Sequence, residues 1–250
     1  MNERTLVVIP ARWGSSRFPG KLLEDLGGRP LVVRTAERAA RMRSADEVVV
    51  ATDDERIRTA VAAAGIACEM TADCATGTDR VGQVAARRGA GIVVNLQGDE
   101  PLLDPADADA LVAALRDDPA AGLATCAHPF GPDDDWADPN VVKVLVDRAG
   151  RALYFSRAGV PGVFPAVRAA APAPRDVALR HIGIYAFRHD ALARFLALPR
   201  SPLEQVEGLE QLRALENGMT IRVVTVARGP VGVDTPADLA RVRAMWANQG

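Results

Sequence analysis

The chain has 250 residues, a formal net charge of −2, and 48% hydrophobic and 25% charged residues. A chain of this length buries roughly three quarters of the surface its unfolded form exposes, so one large domain is expected. The near-neutral charge excludes a general attraction to nucleic acid or to an anionic membrane, and any work on an anion must be local.

Residues 5–9 are an apolar, β-branched run that stops at Pro10 and predicts a strand. The apolar stretch is too short for a signal-peptide core or a membrane span, and no other long apolar run follows. Cys68, Cys74 and Cys126 are odd in number and widely spaced, which suggests neither a disulfide framework nor a zinc site. A cytoplasmic protein with reduced thiols is the expectation. After the strand comes a loop of small residues carrying Arg12, Arg17 and Lys21. A parallel strand that delivers such a loop to a helix is a phosphate-binding arrangement, because small residues let the backbone approach an anion and the cations neutralise it. It is not a Walker loop, since Lys21 is followed by Leu22.

Residues 31–41 have helical apolar spacing, and 47–51 predict a second strand ending at the helix-capping run Thr52-Asp53-Asp54. The helix so opened runs through Ile57, Val61 and Ala64 to Gly65. A strand at 67–70, a helix at 77–88, an apolar strand at 91–96 and a helix at 105–115 follow. This alternation predicts an α/β fold: a mostly parallel central sheet with helices on both faces. Farther on, 141–146 and 152–155 flank Asp147-Arg148-Ala149-Gly150 as a hairpin, and the Ala/Pro-rich stretch 164–174 reads as a mobile loop. A strand at 181–187, a helix at 204–216 capped by Asn217-Gly218, a strand at 221–226 and a helix at 236–246 complete the chain.

Ligands of open α/β sheets sit at the carboxyl ends of the strands. Three charged clusters fall at such ends: the 12–21 loop, Gln97-Gly98-Asp99-Glu100-Pro101, and Gly232-Val233-Asp234-Thr235-Pro236. A carboxylate at the tip of a buried strand costs desolvation energy that a bound cation offsets. Asp99 and Asp234 beside a cationic loop therefore fit Mg²⁺ held together with substrate phosphates. The alternative is that either Asp is only a helix N-cap, as the following Thr235-Pro236 allows for Asp234. His181 and Tyr185 share one strand face, as ligands or as core. Glu210 and Gln211 lie on a helix, as ligands or as a solvated face, and Arg157 is a ligand or a surface ion-pair partner.

The chain resembles the 3-deoxy-manno-octulosonate cytidylyltransferases, the CMP-Kdo synthetases, over nearly its whole length. The resemblance rests on Ile9-Pro10-Ala11-Arg12, Arg17-Phe18-Pro19-Gly20-Lys21, Thr76-Gly77-Thr78-Asp79-Arg80 and Val94-Asn95-Leu96-Gln97-Gly98-Asp99-Glu100-Pro101. It continues through Pro139-Asn140-Val141-Val142-Lys143, Tyr154-Phe155-Ser156-Arg157, Arg180-His181-Ile182-Gly183-Ile184-Tyr185, Leu209-Glu210-Gln211-Leu212-Arg213 and Gly232-Val233-Asp234-Thr235-Pro236. It implies a Rossmann-like nucleotidyltransferase fold as a single domain of residues 1–250, with 121–202 as a small strand-rich subdomain for sugar binding and dimerisation. It implies that CTP and Kdo give CMP-Kdo and diphosphate, in the cytoplasm, by a Mg²⁺-dependent homodimer feeding lipopolysaccharide assembly. The catalytic residues implied are Arg12, Lys21, Asp99 and Asp234. Arg12 and Lys21 hold the triphosphate, Ala11, Thr76 and Gly77 lie near cytosine and ribose, and Asp99 and Asp234 hold the metal. The sugar acid falls to Arg80, Gln97, Arg157, His181, Tyr185, Glu210 and Gln211. After Arg157 the family carries Ile-Pro-Trp, whereas this chain has Val160-Pro161-Gly162-Val163 and then the Ala/Pro tract. That departure leaves a related acidic sugar, of amino-Kdo or sialic-acid type, as the alternative substrate. A nucleotide-binding protein without activity is a third reading, opposed by the presence of Arg12, Lys21, Asp99 and Asp234.

Overall fold

Strand β1 (Thr5–Ala11) sends Leu6 and Val8 to one face and Val7, Ile9 and Ala11 to the other, and all five are buried. Burial on both faces is the mark of a central parallel strand. The structure is a computed structural model that describes residues 4–14, 17–131, 134–163 and 172–248. β1 lies between β2 (Glu47–Thr52) and β4 (Ile92–Asn95), parallel to both, and β3 (Ala67–Met70) extends the sheet beyond β2. Past β4 a single strand of the row runs against the others. Strand β8 (Leu179–Arg188) runs antiparallel to β4 and to β5 (Ala121–Pro129), and β9 (Thr220–Thr225) closes the row parallel to β5. The order is β3-β2-β1-β4-β8-β5-β9, and the hairpin β6 (Lys143–Val146) and β7 (Ala152–Ser156) hangs on the start of β8.

Helices cover both faces, as the alternation predicts. One core joins α1 (Leu31–Ala39), α2 (Glu55–Ala63), α4 (Pro105–Asp117) and α9 (Pro236–Ala247) to the Val7–Ile9 face. The other joins α3 (Gly77–Arg88), α6 (His189–Ala197), α8 (Gln211–Glu216) and the β6–β7 hairpin to the Leu6–Val8 face. Two short helices, α5 (Pro174–Val177) and α7 (Pro202–Glu207), join these layers. Side-chain caps fix several entries: Asp54 opens α2, a Thr76–Asp79 capping box opens α3, Asp104 opens α4 and a Thr235–Asp238 box opens α9.

Four features depart from the sequence reading. Strand β5 (AGLATCAHP) has no strand signal because it is built from small residues, yet it is paired on both sides and buried. Helix α6 is likewise unpredicted. The helix expected over 204–216 is two helices, since Gly208 takes φ +61° and ends α7 in the left-handed region. The cationic loop does not run straight into a helix: only a single 3₁₀ turn, Lys21–Leu23, follows it, and α1 begins at Leu31. Of the loop expected over 164–174, residues 164–171 lie outside the described residues, and Pro174 already opens α5. All three cysteines are free thiols. Among the described residues, no helix is long and apolar enough to cross a membrane.

Candidate active site

The carboxyl ends of β1 and β4 and the N-terminus of α3 open into one chamber of about 330 Å³. Ala11, Arg12, Arg17, Lys21, Thr76, Gly77, Arg80, Gln97, Asp99 and Asp234 line it. Nine of these are predicted site residues, brought together from four separate stretches of chain, and Arg17 is the third cation that the same loop was expected to bring to an anion. The loop owes its shape to Gly20, whose φ of +74° and whose contact with the Trp13 ring leave no room for a side chain: a Cβ would lie 2.7 Å from that ring. Trp13 is itself held by the Arg56 guanidinium, 3.5 Å from the ring centroid.

Lys21 is buried, and its ammonium has three hydrogens to donate. It donates to Asp99 Oδ2 at 2.5 Å, to the Val233 carbonyl at 2.7 Å and to Asp234 Oδ1 at 3.0 Å. Arg17 meets the other oxygen of Asp234 at 3.1 Å. Neither aspartate is a cap, because Asp104 and Thr235 hold those positions. The N-cap readings of Asp99 and Asp234 are therefore set aside. Two carboxylates from opposite halves of the chain converge on a single cationic point. Next to them, burial and the charges of Asp99 and Asp234 push the Glu100 carboxyl up to about 8, against the pull of Lys21. Its Oε2 has no hydrogen-bond partner. Burial thus favours the neutral form of Glu100, and Asp99 and Asp234 are the carboxyl groups that line the chamber. Two hard oxygen donors suit Mg²⁺ bound jointly with phosphates. Among the described residues no group of three or more His, Cys, Asp or Glu could cage a metal without such help.

Of the predicted sugar residues, Arg80 and Gln97 line the chamber, and Arg157, His181, Tyr185, Glu210 and Gln211 lie outside its lining. Gln97 donates to the Gly183 carbonyl at 3.3 Å, which fixes the bulge in β8 between its pairings at Ile182 and Tyr185. His181 and Tyr185 do share a face, with ring centroids 5.6 Å apart. His181 Nε2 lies 2.9 Å from Thr125 Oγ1, and burial lowers its pKa to about 3, so the ring is neutral at physiological pH. Burial, with the nearby Glu210 charge, pushes the Tyr185 phenol up. Glu210 accepts from Thr78 Oγ1 at 2.7 Å, and Gln211 Nε2 is buried without a partner.

Two arginines are more committed than their motifs suggest. Arg80 is buried and pairs with Asp53 at 2.5 Å and with the Thr71 hydroxyl. Arg157 donates to the carbonyls of Glu207, Pro139 and Gly208 at 2.7, 3.0 and 3.4 Å. That leaves two of its five N–H groups for an anion. Glu207 draws the strand β7 end together, accepting from Tyr154, Ser156 and the Arg157 amide. Thr78, Thr125, Glu100 and Glu207 are residues of this region to which the sequence reading assigned no role. Thr78 and Glu100 lie inside quoted motifs, and that adjacency was the available signal.

The cytidylyltransferase family model matches residues 6–221. The chain is 52% identical over 240 residues to the 3-deoxy-manno-octulosonate cytidylyltransferase of Syntrophotalea carbinolica, covering 95% of this chain and 96% of that one. It is 48% identical to the enzyme of the same name from Geobacter sulfurreducens, with 94% and 96% covered. Among solved structures it superposes with a TM-score of 0.91, at 44% identity and over 99% of this chain and 100% of the other, on CMP:2-keto-3-deoxy-manno-octonic acid synthetase complexed with CTP. A cytidylyltransferase from Leptospira borgpetersenii, 17% identical, shares the fold with a TM-score of 0.65 over 98% of this chain and 87% of that one.

Proposed function

This chain belongs to the cytidylyltransferase family, and from that membership we infer that it activates 3-deoxy-manno-octulosonate (Kdo): CTP and Kdo give CMP-Kdo and diphosphate. The sugar is supported by the names of relatives about half identical over nearly the full chain. The observation that carries the chemistry is the convergence of Asp99 and Asp234 on Lys21 at the mouth of the chamber. The anomeric hydroxyl of Kdo attacks the α-phosphorus of CTP, a new P–O bond forms, and the bond to diphosphate breaks. Such a transfer needs in-line placement and charge neutralisation more than covalent help. Arg12, Arg17 and Lys21 take the triphosphate and stabilise the departing diphosphate. Ala11, Thr76 and Gly77 bound the nucleoside, with the N-terminus of α3 aimed towards negative charge.

Asp99 and Asp234 would hold Mg²⁺, which when bound polarises the α-phosphate and acidifies the attacking hydroxyl. Gln97, His181, Tyr185, Glu210 and Gln211 receive the sugar hydroxyls, and the two free N–H groups of Arg157 suit its carboxylate. Arg80, tied to Asp53, positions the chamber wall rather than reaching for the sugar. The chain forms a single domain in which residues 121–202 serve the sugar and a homodimer contact. The unpaired edge of β7 and the exposed Leu153 upon it support that contact. We place the enzyme in the cytoplasm, feeding lipopolysaccharide assembly.

The test is diphosphate release measured across nucleotides and sugar acids. CTP, Kdo and Mg²⁺ together are expected to give turnover, and omission of any one to abolish it. Asp99→Asn is expected to lower kcat by about a hundredfold or more, as loss of a charge-stabilising group does. Faster turnover with an amino-Kdo or sialic acid would transfer the assignment to that sugar, the alternative favoured by the departure at Val160-Pro161-Gly162-Val163. Release unaffected by Asp99→Asn would refute the metal site.

A further inference from the structure

The nucleotide side and the sugar side of the site meet at one hydroxyl. Thr78 stands in the first turn of α3, directly after Thr76 and Gly77, which line the chamber. Its Oγ1 reaches across 132 positions of sequence to Glu210 Oε2 at 2.7 Å. Glu210 stands immediately before α8 and next to Gln211, on the sugar side. A carboxylate oxygen only accepts, so the single hydroxyl hydrogen of Thr78 belongs to Glu210. Thr78 can then only accept from its other neighbour, Asn95, whose Nδ2 lies 3.5 Å away. This forces the Asn95 amide to turn its carbonyl oxygen the other way, where it is buried with no partner. Thr78 is itself 7% exposed and Asn95 2%, so water does not set this orientation.

We propose that Thr78 is a positioning residue: its hydroxyl, aimed by Asn95, fixes the Glu210 carboxylate and ties sugar binding to the nucleotide-facing turn of α3. The proposal rests on the Kdo cytidylyltransferase reading. Because α3 is anchored by its capping box, a nucleotide that settles the turn at Thr76-Gly77 also settles Glu210. CTP and sugar should therefore bind with positive coupling, each raising affinity for the other.

The experiment compares Thr78→Val, which keeps the shape and removes the hydroxyl, with Thr78→Ser, which keeps the hydroxyl. Steady-state constants for both substrates are read, together with sugar affinity with and without a non-hydrolysable CTP analogue and the affinity of that analogue with and without sugar. Thr78→Val is expected to raise the sugar KM about tenfold, to leave the CTP affinity measured without sugar within about twofold, and to abolish the coupling in both directions. Thr78→Ser is expected to restore both. Glu210→Gln added to Thr78→Val should cost little more than Glu210→Gln alone, because the two act through one contact. Equal behaviour of the Val and Ser variants, or an equal loss of sugar and CTP affinity when each is measured alone, overturns the proposal, as does full additivity with Glu210→Gln. Should Thr78→Val not fold, the Ser variant decides alone: wild-type coupling supports the role and lost coupling refutes it. Absence of turnover by the wild-type enzyme would instead overturn the parent reading, and this inference with it.

Discussion

Lys21 shows how one side chain organises this site. Its ammonium occupies the point where Asp99 and Asp234 converge, so two carboxylates that would repel one another are held together without any ligand. Removing it leaves two like charges facing each other, and a divalent cation becomes the best remaining way to join them. Lys21→Met is therefore expected to lower Tm in metal-free buffer. Millimolar Mg²⁺ should then recover more of the loss in the variant than it adds to wild type. Differential scanning fluorimetry with and without Mg²⁺ checks this, and equal shifts in the two proteins would show that Asp99 and Asp234 do not hold the ion. The candidates themselves were legible in the sequence, because an acidic residue at the tip of an apolar strand and a cationic Gly-containing loop each stand out. Their meeting was not. Lys21 Nζ bonds a carbonyl 212 positions away, and no local pattern encodes that distance. The resemblance to a family, rather than periodicity, supplied the roles of Glu210 and Gln211.

At the scale of elements, the parallel half of the sheet was readable and the other half was not. Strands β1, β2 and β4 carry continuous β-branched runs because they are buried on both faces. Strand β5 sits as deep but is Ala- and Gly-rich. Gly122 touches Ala191 of α6, where a Cβ would come within 3.1 Å, so small residues serve close packing where bulky ones would signal a strand. The split of the 204–216 helix was hidden for another reason. Glu and Leu spacing continues across Gly208, and only the φ of +61° there reveals the turn. What holds α7 and α8 together is a pair joining Arg213 to Glu204 through two hydrogen bonds, 2.8 and 2.6 Å, with both side chains under a tenth exposed. Glu204 also completes the Ser201 capping box. Cutting a buried pair strands a charge, which costs about 3–5 kcal/mol. Arg213→Met is expected to destabilise the protein by that order in urea titrations. Replacing Glu204 with Leu in the same chain should return a good part of it. If the double variant is less stable than Arg213→Met alone, the cap, not the ion pair, is the principal tie.

The whole molecule is braced by an aromatic row that runs from the hairpin along β8 to α6. Phe155, His181, Tyr185, Phe187 and Phe195 follow one another at centroid spacings of 5.0, 5.6, 5.9 and 5.9 Å. His181 is the one member of this row that can take up a proton near neutrality, and desolvation makes it resist. Its pKa falls from 6.5 in the unfolded chain to about 3 when folded, so in acid the unfolded chain binds the proton first. The stability this group contributes is complete above pH 6.5. It drains away as pH falls towards about 3, where the folded ring at last protonates. Carboxylates such as Asp109 and Glu204, whose pKa values the folded state lowers, lose their contributions further into acid, whereas Glu100, raised to about 8, works against the histidine over the same interval, so the difference between wild type and a His181 variant is what isolates the histidine. Urea unfolding at pH 7 and at pH 5 measures it. From pH 7 to pH 5, wild type is expected to lose clearly more, or gain clearly less, than His181→Gln, which keeps a polar group beside Thr125 but cannot ionise, whatever the variant's stability at pH 7. Equal changes would mean that the ring reaches solvent at no cost. The row would then be open where the sugar acid is expected to enter, and the neutral imidazole assigned to a sugar hydroxyl would have to be replaced by a titrating one.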